Sequence, residues 1–339
     1  MLRRVSRSIR FPPFRPRAPW WGPDLQTLRN FLSPPRPDLD RFAARRLTLP
    51  LADGSGDALS ALLLEPPEGA AARRTGLARR PLAVLLHGLS GCEESAYMLT
   101  SAAHLLGLGH PVLRINLRGV GPSRPLCRRQ YHAGSSADLR AALASLDPAL
   151  LRHGLALVGY SLGGNLLLKF LAEGGEDLPI AAAAVVSAPI DLAAASRRIR
   201  APRNHLYQRY LLRRIQRESL APVAQLCEAE VQAIEGARTI YELDDRFVAP
   251  RNGYSGADEY YRENAALRTL ASIRIPTLVI HAADDPWVPL DAHASYPWVR
   301  NPSLVPLFSR TGGHVGFHGR GSPLPWHDRC IAMFFEALP

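Results

Sequence analysis

From residue 81 onward, short apolar runs alternate with longer segments of helical period. The runs LAVLLH (82–87), PVLRINL (111–117), LALVGY (155–160), IAAAAVVSA (180–188), TLVIHAA (277–283) and SLVPLFS (303–309) are nearly continuous in apolar residues. That is the pattern of strands buried on both faces. Between them the spacing predicts helices near 94–107, 136–147, 162–173, 257–271, 290–299 and 326–338. Strands alternating with helices predict an α/β fold: a mostly parallel central sheet with helices on both faces, and a site at the carboxyl ends of the strands. Two more strand-like segments, 44–52 and 58–66, come earlier, and EGAAARRTGLARR (68–80) reads as a surface loop of small and charged residues.

Two stretches break the rhythm. Residues 1–43 are rich in Pro, Arg and aromatics and read as an arm that packs on the body through Trp20, Trp21 and Phe31. The body is then 44–339. Within it, 191–254 separates a strand from the next helix by about sixty residues, too many for a plain connection. A helical cap insertion over the carboxyl edge of the sheet is expected there. In it, Leu206, Tyr207, Tyr210, Leu211 and Ile215 share one helical face, while Arg209, Arg213, Arg214 and Arg217 fall largely elsewhere. The expectation is an apolar face over a pocket and an arginine face in water, with weak peripheral contact to anionic lipid as the sharper alternative.

Composition narrows the partners. The formal net charge is +11, which invites a polyanion reading. However, Lys169 is the only lysine, so the excess is nearly all Arg and looks like compositional bias; no nucleic-acid partner is expected. The cysteines Cys92, Cys127, Cys227 and Cys330 are scattered, which argues against a disulfide framework or structural zinc and fits a reducing, cytoplasmic setting. The basic N-terminus has no apolar core of secretory type, and prolines interrupt any amphipathic targeting helix. No run of the chain is apolar enough to span a bilayer.

The central chemical signal is Gly159-Tyr160-Ser161-Leu162-Gly163, with a strand pattern before it and a helix pattern after it. A serine at such a strand–helix corner is a nucleophile elbow: flanking glycines let backbone pass closely, and the helix N-terminus favours a developing anion. The bland alternative is a helix-capping serine. A nucleophilic serine needs a base and an orienting acid, which follow in the order acid, then His. Asp284-Asp285-Pro286-Trp287-Val288-Pro289 follows one strand, and Gly312-Gly313-His314-Val315-Gly316 follows the last. Asp285 is the expected acid because it stands directly before the Pro-x-Val-Pro turn, with Asp284 as the alternative and Asp191 a distant third. His314 is the expected base because glycines surround it, with His318 as competitor. The oxyanion donors are expected to be the backbone N–H groups of Leu89, in HGLSG after the 82–87 strand, and Leu162. His87 reads as a structural residue of that loop and Cys92 as a small filler, while Tyr131, His132 and Asp138 read as structural. His314 and His318 stand four apart, but in a glycine loop without an H-E-x-x-H pattern, so no metal site is expected. No P-loop or dinucleotide fingerprint occurs.

These motifs carry a resemblance. PPFRPRAPWWGPDLQTL, HGLSGCEESAY, INLRGVGPSRP, YHAGSSADL, GYSLGGNLLLKFL, ELDDRFVAPRNGYSGADEYY, AADDPWVP and GGHVGF follow one another over almost the whole chain. Together they resemble the α/β-hydrolase superfamily, and within it the YheT-like branch that also holds eukaryotic abhydrolase-domain phospholipases and esterases. The chain departs from the branch at Cys92, where a small polar residue is usual, and in a cap richer in Arg. The resemblance implies a charge-relay role for Ser161, Asp285 and His314. The expected activity is hydrolysis of carboxylic esters of short or medium acyl chain through an acyl-enzyme, with no cofactor. A phospholipase working at a membrane surface and a non-catalytic binding protein of the same fold are the alternatives.

Overall fold

The computed structural model describes residues 9–67 and 80–338. The segment read as a surface loop lies almost wholly outside the described residues. Eight strands form one sheet: β1 (Ala43–Pro50), β2 (Ala58–Glu65), β3 (Leu82–Leu86), β4 (Val112–Ile115), β5 (Leu155–Tyr160), β6 (Ile180–Val186), β7 (Thr277–Ala282) and β8 (Leu304–Ser309), in the order β1-β2-β4-β3-β5-β6-β7-β8. β1 and β2 pair antiparallel, as do β2 and β4, and every later pairing is parallel. The α/β architecture anticipated from the pattern, a mostly parallel sheet, is therefore present. Strands β3, β5 and β7 are buried along their whole length. Each strand sends alternate side chains to opposite faces. Leu82, Val84 and Leu86 join one core with Leu155, Leu157, Ala183 and Val185, while Ala83 and Leu85 join another with Val158, Tyr160 and Val186.

Helices cover both faces. The longer ones are α1 (Gly22–Leu32), α2 (Ala96–Gly107), α3 (Ser136–Ala144), α4 (Leu162–Ala172), α5 (Leu192–Arg200), α6 (His205–Ser219), α7 (Glu228–Gly236), α8 (Ala257–Asn264) and α9 (Trp326–Glu336). α3 and α4 supply Leu139, Leu143, Leu166 and Phe170 to the first core; α2 and α9 supply Met98, Leu105, Trp326 and Phe334 to the second. Burying each of these large apolar side chains contributes about 1.5–3 kcal/mol before entropy is charged against it.

Two expected helices are shorter than their patterns suggested. The helix anticipated over 257–271 stops at Asn264 and continues as two 3₁₀ turns. The cause is Asn165: its amide donates to the Asn264 carbonyl (2.9 Å) and its oxygen accepts the Ala266 N–H (2.9 Å), replacing the next helical bonds. The helix anticipated over 290–299 contains only Asp291–Ser295, because Pro297 cannot continue it.

The arm also differs from expectation. Trp21 and Phe31 are exposed. Its anchors are instead Phe14, stacked edge-on against Phe317 and tilted against Trp326, and Gln26, wholly buried.

Between β6 and β7 the chain leaves the sheet and builds α5 to α8, joined by a helical run near 240–251 whose centre, Asp244–Val248, is a π turn. Ile199, Leu211, Leu212, Ile234, Leu243 and Phe247 form a separate apolar cluster there, against which Leu89 and Trp287 pack from the sheet side. Among the described residues no helix is long and apolar enough to cross a membrane.

Candidate active site

β5 ends at Tyr160 and α4 begins at Leu162, leaving Ser161 alone at the corner with φ 52° and ψ −123°. This left-handed geometry is costly for a residue with a Cβ and is held by its surroundings. The Ser161 N–H donates to the Val186 carbonyl (2.9 Å), and its own carbonyl accepts from Gly164 and Asn165. The corner closes only because of glycine. A Cβ on Gly163 would lie 2.3 Å from the His87 carbonyl oxygen, and one on Gly159 would lie 2.6 Å from that of Gly163.

The candidate acid and base follow the carboxyl ends of β7 and β8. His314 Nε2 is 2.9 Å from Ser161 Oγ, and His314 Nδ1 is 2.8 Å from Asp285 Oδ2. The other carboxylate oxygen of Asp285 accepts the N–H groups of Trp287 (2.8 Å) and Val288 (3.0 Å). Asp285 is buried, and burial alone would raise its pKa; the His314 ring and these N–H donors outweigh it and hold the carboxyl below its usual range. The Trp287 ring lies 4.4 Å from the His314 ring and covers one side of it.

The remaining acids and histidines do other things. Asp284 Oδ1 accepts the Gly313 N–H (2.9 Å) and so shapes the turn that presents His314; burial raises its pKa. Asp191 caps α5 through the Ala194 N–H. His318 is buried beneath the arm, and burial pushes its pKa down to about 3. Its backbone is gripped by Gln26, which accepts the His318 N–H and donates to its carbonyl.

After β3, residues 88–91 fold back over Ser161 so closely that a Cβ on Gly88 would come within 2.8 Å of the Ser161 Cβ. In this loop the Gly88 N–H donates to the Tyr97 hydroxyl, the Ser90 N–H to the Tyr131 hydroxyl, and the Gly91 N–H to the Gly88 carbonyl. Leu89 is left as the loop's N–H with no protein partner among the described residues. Leu162, first in α4, has no intrahelical acceptor for its N–H either. His87 accepts the Leu117 N–H at Nε2 and meets the Gly88 carbonyl at Nδ1 (2.8 Å), an arrangement that uses the neutral ring with its proton on Nδ1. Burial agrees, lowering its pKa to about 4.

Several of these contacts were not anticipated. The sequence gives no signal for Tyr97, Gln26 or Trp287, nor for Thr27, whose hydroxyl accepts the His314 N–H, and Tyr131, read as structural, braces the loop over Ser161. Asp138, read as structural, pairs with Arg118 (3.3 Å). Cys92 sits beside that loop, its thiol pushed up by burial.

Ser161 and His314 open into a cavity of about 790 Å³ beneath the cap. Its walls are Leu192, Ile199, Leu211, Ile215, Phe247 and Val248, with Arg214, Glu218 and Arg251 among the polar lining. The expected apolar face of α6, Leu206, Tyr207, Tyr210, Leu211 and Ile215, does line the cavity, with Leu206 and Tyr210 exposed at its mouth. The revision concerns Arg214, which also lines the cavity, where its guanidinium donates to the Tyr210 hydroxyl (3.0 Å). The cause is where the helix buries: Gln208, Leu211, Leu212 and Ser219 are its inward positions.

A family model described as alpha/beta hydrolase fold matches residues 81–319, and the chain belongs to that family. Among its relatives, YheT of Escherichia coli (strain K12), which bears an esterase name, is 36% identical over 247 residues, 71% of each chain. The Mus musculus protein named phospholipase ABHD3 is 30% identical over 263 residues; the match takes in 76% of this chain but only 64% of the mouse protein. Of solved structures, the Pyrococcus furiosus esterase Pf2001 shares the fold with a TM-score of 0.57 at 16% identity, over 97% of this chain and 100% of that one.

Proposed function

We propose that this chain hydrolyses carboxylic esters, with Ser161 as nucleophile, His314 as general base and Asp285 as the orienting acid. The observation that carries the reading is the unbroken series Asp285–His314–Ser161, each link at hydrogen-bond distance, at the end of an apolar cavity. His314 Nε2 takes the Ser161 proton as Oγ bonds to the ester carbonyl carbon. The negative charge formed on the carbonyl oxygen is received by the N–H groups of Leu89 and Leu162, aided by the N-terminus of α4. His314 returns the proton to the departing alkoxide, leaving an acyl-serine. A water that gives its proton to His314 then attacks the acyl carbon, and the acid leaves as Ser161 regains its hydrogen. Asp285 keeps the Nδ1–H tautomer and stabilises the imidazolium. The helices over 191–254 act as the cap that walls the acyl chain.

The YheT name supports an esterase, and the ABHD3 name supports a second reading in which the ester belongs to a phospholipid. The largely aliphatic cavity walls suit either acyl donor. Four free cysteines suit a reducing, cytoplasmic setting. The test is labelling by a fluorophosphonate probe together with turnover of a panel of p-nitrophenyl esters and phospholipids. Ser161→Ala should abolish labelling and ester turnover and keep the wild-type circular dichroism and Tm. Labelling that survives the substitution would place the nucleophile elsewhere.

A further inference from the structure

Nine large hydrophobic side chains are exposed among the described residues, and six of them lie on two neighbouring elements: Trp21, Leu25, Phe31 and Leu32 on or beside α1, and Leu206 and Tyr210 on α6. Exposed apolar side chains scattered singly need no explanation, but a contiguous patch does. The two helices are fastened to each other. Asp24 on α1 accepts from Arg203 (2.9 Å) and from the Tyr207 hydroxyl (3.0 Å), and the Phe31 and Tyr210 rings meet edge to face at 6.2 Å. Phe31, Leu206 and Tyr210 also line the cavity that reaches Ser161, so the patch reaches its mouth.

The patch has a charged border. Leu206 and Tyr210 share a shallow depression with Arg209, Arg213 and Arg217. Leu206, Tyr210, Arg213 and Arg217 stand at helical spacings of four, three and four, one stripe of α6. Arg209, Arg213 and Arg217 are exposed and make no ion pair among the described residues. Leu206 is 77% exposed, Phe31 69% and Leu32 58%, values that leave most of each side chain in water.

We propose that this face, α1 and α6 together, docks on a lipid bilayer surface that carries anionic headgroups. The apolar side chains enter the headgroup boundary and the three arginines meet phosphate, an arrangement whose strength scales with buried apolar area plus basic charge. Charge complementarity selects this occupant over a second copy of the chain. With a net charge of +11, self-association here would bring like-charged arginines together. Docking orients the cavity mouth toward the bilayer, so an ester held in lipid has a short path to Ser161. The surface is independent of the chemistry at Ser161, because vesicle binding requires no turnover.

The experiment is co-sedimentation of the full chain with vesicles of phosphatidylcholine alone or mixed with phosphatidylserine, at low and high salt. Two triple variants are compared: Trp21→Ser, Leu25→Ser and Leu32→Ser; and Arg209→Gln, Arg213→Gln and Arg217→Gln. None of these six residues lines the cavity, and all are exposed, so Tm and turnover of a soluble ester should match the wild type. The wild type should bind mixed vesicles and release at high salt, where the screening length shrinks to about 3 Å. The arginine variant should partition about a hundredfold more weakly onto mixed vesicles, and the apolar variant should lose that binding as well. Wild-type protein that stays in the supernatant, or binding indifferent to both variants, overturns the proposal. A wild-type dimer that the apolar variant converts to monomer also overturns it, since the face would then be covered by a second copy.

Discussion

The hydroxyl of Thr27 accepts the backbone N–H of His314 at 2.9 Å, across 287 positions of sequence. The same hydroxyl donates to the Pro23 carbonyl (2.7 Å), so its orientation is fixed from within α1. The loop that presents His314 to Ser161 is thus held on one side by Asp284 and on the other by the N-terminal arm.

Removing that hydroxyl should misplace His314. Thr27→Ala leaves a part-buried N–H without its acceptor, a loss of about 1–3 kcal/mol. The expected result is a kcat about tenfold or more below wild type with KM little changed, and slower fluorophosphonate labelling. Thr27→Ser, which keeps the oxygen, should restore most of the rate. Equal effects of Ala and Ser would show that volume, not the hydrogen bond, matters at this position.

The two adjacent aspartates should separate cleanly. Asp285→Asn replaces the acceptor facing Nδ1 and favours the wrong tautomer, with an expected loss of about 10⁴ in kcat. Asp284→Asn retains an oxygen for the Gly313 N–H and should cost less than about tenfold. Steady-state kinetics of both variants on one soluble ester decide the matter; the reverse order would make Asp284 the acid.

Gly88→Ala tests the close approach over Ser161. The new methyl would sit 2.8 Å from the Ser161 Cβ and 3.1 Å from the Tyr160 carbonyl oxygen. Overpacking of this kind costs about 1–3 kcal/mol of stability. The rate should suffer more, by about 10²-fold or beyond, because the loop bearing Leu89 is pushed away from the oxyanion position. Denaturant titration and kcat on the same preparation measure the two effects.

The pH dependence of stability should change with Asp328. Burial raises this carboxyl to about 7, opposed by a hydrogen bond from Ser101. Below the ordinary carboxylate range the group is protonated in folded and unfolded chains alike, and its contribution is fully present. As pH rises, the unfolded chain ionises first while the folded chain keeps its proton, so stability falls until the folded group also ionises near 7. Asp328→Asn cannot ionise and keeps an acceptor for Ser101. Its Tm should match wild type near about pH 4 and exceed it by about pH 8. Parallel Tm profiles would refute this account.

What could be read from the sequence was what local pattern encodes. The strand LALVGY, the serine and the helix LGGNLLLKFLA are contiguous, so the corner at Ser161 was legible in one window. Asp285 and His314 were found because parallel strands deliver their carboxyl ends to one edge, and the structure does bring both to Ser161. The end of α8 was not legible, because Asn165, about a hundred positions away, supplies the bonds that stop it. Thr27 and Gln26 were invisible for the same reason: they carry no period, and their partners lie almost three hundred residues downstream. On α6 the apolar face was read correctly as helical, but its rotation depends on which residues the cap packs inward, and this moved Arg214 into the cavity.

The arm's attachments carry a consequence for the order of assembly. Phe14 meets Phe317 and Trp326, Pro16 bridges to Gly319, the Arg17 N–H donates to the His318 carbonyl, and Thr27 holds His314. During synthesis the arm leaves the ribosome almost three hundred positions before the segment it grips. Contacts of such sequence separation form late, after the entropy of closing the intervening chain has been met by the sheet itself. A nascent chain can therefore complete much of its sheet while the loop bearing His314 is still unmade and the arm has nothing to hold. The setting of His314 beside Ser161 is then completed in the step that joins the arm to that loop.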